Sequence, residues 1–237
     1  MSTTQAETDP GGARHRGPSL LAVAIVFVSL FVASLVTVAA MTGGGHIPSP
    51  FEPAATTFFS DHAGAVRLSA FLQFGAAVPL AIFTATATSR LRFLSMEVAG
   101  HSIALIGGTL AAAMGALSAL LQWVLSQPGV VSSDGAVRAF HLLAFATGGP
   151  GFVVPFGLLV AGVSVSGGLT GKLPRWVMWF GLVIAAVAEL SSLTIATPAA
   201  AYLLPAARFT GLVWLVVVGA MLPVARSGRT TSGPDAT

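Results

Sequence analysis

Apolar residues run through this sequence in six long blocks, separated by short stretches that carry charge, glycine or proline. The first, Leu20 to Met41, contains no charged side chain. At 1.5 Å of rise per residue, a helix of this length crosses a hydrocarbon core about 30 Å thick. It is too long for the apolar region of a signal peptide, about 7 to 15 residues, so it is expected to remain as an anchor. Further blocks lie at about Leu68–Thr88, Val98–Val124, Ala139–Val165, Trp176–Thr197 and Phe209–Ala225. The predicted fold class is all-α, a polytopic transmembrane bundle of six spans.

The breaks are as informative as the blocks. A glycine- and proline-rich stretch runs from Gly43 to Pro53, and Ser60 or Asp61 is placed to cap the helix that follows. Polar turns come at Ser89–Glu97, Ser126–Asp134 and Gly167–Pro174, and Pro198 and Pro205 bracket the last one. Residues 1–18 and 226–237 are too polar to bury a core and are expected as disordered cytoplasmic tails around a transmembrane domain at 19–225. Short cytoplasmic loops retain Lys and Arg during insertion. With both ends inside, Arg14, Arg16, Arg90, Arg92, Lys172, Arg175, Arg226 and Arg229 fall inside, and only Arg67, Arg138 and Arg208 fall outside.

Composition agrees: 54% of the residues are hydrophobic and 8% charged. The expected surroundings are a lipid bilayer, and the expected location is the inner (plasma) membrane. The net charge of +3 comes without a basic run, so nucleic acid is not an expected partner. Absence of cysteine excludes disulfides, thiolate metal sites and a cysteine nucleophile.

Gly64–Pro79 reads GAVRLSAFLQFGAAVP and Gly135–Pro150 reads GAVRAFHLLAFATGGP, which share glycine, alanine, valine, arginine, leucine, phenylalanine and proline in register. Spans 2 and 4 therefore look like parallel copies, unless the match is chance in an Ala-, Gly- and Phe-rich background.

An ionisable residue inside a span costs about 2.5–3.5 kcal/mol at the centre, so each needs a partner or a purpose. Glu189 is expected near the middle of span 5. His141 and Arg138 are expected one turn apart in outer span 4, with Arg67 and Arg208 at a similar level. These five could converge as a binding cluster around Glu189. The structural alternative is that Glu189 only locks helices together while the arginines reach lipid phosphates. Glu97 and His101, four residues apart, form an inner-side polar pair or simply a helix-end carboxylate and an interfacial imidazole. Gly148, Gly149, Pro150 and Pro155 are expected to kink span 4 and expose carbonyls, with Gly75 and Pro79 doing the same in span 2. Gly100, Ala104, Gly108, Ala112 and Ala116 form a small-residue stripe that suits close packing, within the bundle or between protomers.

No metal site is predicted, and no cofactor. His101 and His141 are expected at opposite faces and cannot share a haem iron. His62 with His141 is the only other pairing considered, and nothing else supports it. No phosphate-binding loop, dinucleotide fingerprint or hydrolase motif occurs, so enzyme activity has no motif behind it.

The segments FHLLAFATGGPGFVVPFGLLVAGVSV and LPRWVMWFGLVIAAVAELS resemble small multi-pass membrane proteins of high-GC, actinobacterial-type bacteria grouped as a domain of unknown function. The resemblance covers about Phe58 to Pro223 and implies the six-span bundle, without an activity or catalytic residues. The expected function is binding, or transport, of a small molecule or ion through an outer-half polar cavity. The alternatives are a non-catalytic structural or sensory subunit, associating with itself or another membrane protein through the stripe, and a haem or quinone redox anchor.

Overall fold

A computed structural model describes residues 17–52, 55–94 and 99–224. The described residues are helical with no strand, and six helical stretches are long and apolar enough to cross a membrane. In chain order the helices are α1 (Leu20–Met41), α2 (Ala55–Asp61), α3 (Ala63–Leu94), α4 (Gly100–Leu125), α5 (Pro128–Val131), α6 (Asp134–Gly148), α7 (Pro150–Leu169), α8 (Arg175–Leu190) and α9 (Leu203–Met221). Short 3-10 turns at Ser191–Ile195 and Pro198–Tyr202 extend α8 and lead into α9. The expected tail residues 1–16 and 226–237, and Glu97, lie outside the described residues. One end of the bundle carries the start of α1 and the end of α9, here the termini end. The opposite, far end carries the connections at 42–62, 126–133 and 191–202.

Small residues decide which helices touch. A Cβ on Gly162 of α7 would lie 2.5 Å from the Gly100 carbonyl and 2.6 Å from the Ala104 nitrogen of α4. One on Gly107 would lie 2.6 Å from the Pro155 carbonyl. The α4–α7 contact is thus backbone against backbone, which only glycine allows, and van der Waals packing of this kind drives helix association in lipid. Gly108 of the same stripe faces Thr84 of α3. Gly100, Ala104, Gly108 and Ala112 are all buried within the single chain. Four of the stripe's five residues are thus used inside the bundle, and the fifth, Ala116, is half-buried.

Two arginines expected near the ends of their spans, Arg90 buried and Arg208 half-buried, make contacts of their own. Arg90, in the last turns of α3, donates from Nη1 to the Leu222 carbonyl (3.2 Å) and from Nη2 to the Pro18 carbonyl (3.3 Å). It ties the entry of α1 to the exit of α9. Beside it the same two helices meet backbone to backbone, because a Cβ on Gly219 would sit 3.0 Å from the Leu21 Cα.

The second is Arg208, and its depth comes from a misread proline. Pro205 was expected to end a turn, but it occupies the first turn of α9, where backbone N–H groups lack intrahelical partners and proline costs little. The helical stretch therefore begins at Pro198 rather than near Phe209, and Arg208 lies well inside it.

The two proline-bearing spans also differ. α3 runs uninterrupted through Pro79, whereas the Asp134–Leu169 stretch breaks at Gly149, with φ −81° and ψ −108°, before Pro150 opens α7. Pro155 sits within α7 without breaking it. The expected interruption of span 4 is therefore confined to Gly148–Pro150, and span 2 lacks its counterpart.

Candidate functional site: a cavity in the far half of the bundle

Gly43 and Gly44 leave α1 with φ of +69° and +95°, and the Gly44 N–H bonds the Ala39 carbonyl at 2.7 Å, closing a left-handed helix terminus that suits glycine. The chain then turns back as a strap, His46–Glu52, over the far end. Beneath it lies a cavity of about 440 Å³. Its walls are aromatic and aliphatic: Phe27 and Phe31 of α1, Leu80 of α3, Phe145 and Phe152 of the broken span, and Phe209 of α9. Its size falls within the range of about 300–1,000 Å³ typical of small-molecule sites, which pair apolar walls with a few placed polar groups.

The principal polar group is Arg208. Its guanidinium stands 5.1 Å from the Phe152 ring centroid and 5.7 Å from that of Phe31. Phe31 lies midway along α1, and Phe152 midway along the Asp134–Leu169 stretch, so the charge sits near the middle of the bundle. Nη2 donates to the Gly148 carbonyl. The helix break makes that carbonyl available: the Phe152 N–H, which would bond Gly148 in a continuous helix, bonds Gly149 at 3.2 Å instead. The exposed carbonyl expected at this break is therefore taken by the protein's own cation. Among the described residues no carboxylate reaches Arg208, and its Nε has no hydrogen-bond partner.

A pair of amides lines the same cavity. Gln122 Nε2 donates to Gln73 Oε1 at 3.1 Å, and Gln73 Nε2 donates to Ser69 Oγ at 3.3 Å. Gln122 Oε1 is buried without a partner. Ser118 is turned away from this pair and spends its hydroxyl on the Ala144 carbonyl at 2.8 Å.

Nearer the mouth, His141 is buried against Phe59 of α2, with ring centroids 4.8 Å apart at 79°. Its ring interacts with the backbone of Pro48 and the charge of Glu52, both on the strap. Phe51 packs edge-on to Phe145, centroids 5.5 Å apart. The strap meets the cavity mouth beside His141 and packs on it through the Phe51–Phe145 pair.

Of the five residues expected to converge, only His141 and Arg208 line this cavity. Arg67 is exposed and spends its guanidinium on the end of α4, donating from Nε to Ser126 Oγ (3.4 Å) and from Nη2 to the Ser126 carbonyl (3.2 Å). A cation there complements the negative end of the helix. Arg138 is exposed on α6. Glu189, the expected acceptor, is exposed on α8 and does not line the cavity. Ala185 and Ala188 pack on Gly157 of α7, whereas Glu189 is left exposed. His101 is buried at the start of α4, at the opposite end from His141. Sequence reasoning passed over Gln73, Gln122 and the strap. Two amides inside apolar spans were the available signal, because an amide in hydrocarbon must find a partner.

No family model, curated protein or solved structure matches the chain.

Proposed function

We propose that this chain is a multi-pass plasma-membrane protein that binds a small molecule in the cavity beneath the strap. Arg208 carries the reading. A guanidinium near the centre of a membrane bundle, lining a cavity and reached by no carboxylate among the described residues, is costly to insert and calls for a purpose. Gln73 and Gln122, which line the same cavity, support the same reading. The Lys and Arg distribution supports placing both termini in the cytoplasm and the strap outside, so that the cavity opens toward the exterior. If the protein also transports its ligand, the strap and the Gly148–Pro150 break are the elements placed to move.

The test is a thermal-shift screen of the full chain in lipid nanodiscs against acidic, basic and neutral small amphiphiles, repeated on Ala112→Leu. Ala112 lines the cavity, and leucine fills part of its space. At least one class is expected to raise the melting temperature of wild type and not of the variant. Equal shifts in both proteins, or none in wild type, overturn the proposal.

A further inference from the structure

Resting on that reading, we infer that the cavity takes an amphipathic monocarboxylate, its head on Arg208 and its apolar body along the phenylalanine walls. Three observations define the class. First, the positive charge at the base is single. Among the described residues Arg208 is the one arginine or lysine that lines the cavity, and with Nη2 held by Gly148 its guanidinium offers a single charge to a monoanion. Glu52 lines the same cavity at the mouth, beside His141, and opposes the Arg208 charge. A dianionic phosphate monoester would enter against Glu52 and find one cation where it needs two.

Second, the charge is deep. Any anion that reaches Arg208 must cross apolar wall to do so. A carboxylate can shed its charge by taking up one proton and regain it at the guanidinium, whereas a sulfonate or phosphodiester remains ionised near neutral pH. Third, the walls are apolar and approach the lipid. Leu35 of α1 and Phe209 of α9 line the cavity and are still 40% and 46% exposed. The α1–α9 seam changes along its length. It is backbone against backbone at Gly219, and at the cavity it is a pair of rings, Phe31 and Phe209, with centroids 6.5 Å apart. Two ring side chains can rotate where two backbones cannot part, so the seam at cavity level is a route by which a membrane-dissolved acid enters.

The experiment uses the full chain in nanodiscs and a photoactivatable diazirine analogue of palmitate, with the alcohol of the same chain as its neutral counterpart. Labelled residues are mapped by mass spectrometry. The acid is expected to label α1, α7 and α9 at cavity residues and to be displaced by palmitate. Displacement by the matching alcohol or by hexadecyl phosphate should need about tenfold more competitor, the equivalent of one charged contact. Arg208→Gln should reduce acid labelling about tenfold while leaving alcohol labelling unchanged, and Arg208→Lys should restore part of it.

If acid and alcohol label the cavity alike and Arg208→Gln changes neither, the carboxylate assignment is wrong and the binding cavity stands. Stronger competition by hexadecyl phosphate overturns the monoanion argument. Competition by water-soluble phenylacetate but not by palmitate overturns entry from the membrane and the amphiphile class with it. Labelling confined to outward-facing residues in every case removes the cavity reading itself.

Discussion

Arg208→Met separates a residue kept for binding from one kept for stability. On insertion scales an arginine near the centre of a span costs about 2.5–3.5 kcal/mol. Against this stand one charged hydrogen bond to the Gly148 carbonyl, about 1.5–3 kcal/mol, and two phenylalanine faces at about 0.5–1 kcal/mol each. Gains and cost nearly cancel. Methionine keeps the contact with both rings and gives up only the hydrogen bond to the Gly148 carbonyl. The variant should therefore unfold within about 1 kcal/mol of wild type. The assay is reversible unfolding in mixed detergent–SDS micelles, followed by loss of helical circular dichroism. Ligand-dependent stabilisation should disappear in the same preparation. A loss above about 3 kcal/mol would refute the reasoning, because it would make the guanidinium a structural bridge between α9 and the helix break.

Arg90 provides the contrast in the same assay. It lies near a helix end, where a charge is cheaper, and it satisfies two carbonyls on segments far apart in sequence, so Arg90→Met should cost about 3 kcal/mol or more. An unchanged unfolding curve would show that the clamp is not formed. Gly162→Ala should destabilise by about 1–3 kcal/mol, since its new Cβ meets α4 backbone that cannot move aside. Gly75→Ala, whose Cβ would find its nearest neighbour at 4.0 Å, should be tolerated in the same unfolding measurement. Glu189→Gln should leave both stability and acid labelling as in wild type, and reduced labelling would return Glu189 to the site.

The six spans were legible in the sequence because a membrane demands long uncharged helices, a constraint local to each segment. Leu20–Met41 was read to the residue for this reason. The break at Gly148–Pro150 was legible too, since two glycines and a proline act on the backbone they belong to. The site was not, because periodicity says how far apart residues lie on one helix but not how each helix is rotated against its neighbours. Glu189 looked central by depth but lies exposed on α8, outside the cavity. Arg208 looked peripheral by position and was carried inward when Pro205 was absorbed into the first turn of α9. Gln73 and Gln122 stand on different helices, and only the packing of α3 on α4 brings them together. Sequence by itself determined the solvent and the number of crossings. The tertiary structure decided which polar groups share a cavity, because helix rotation is set by small-residue contacts between segments far apart in the chain.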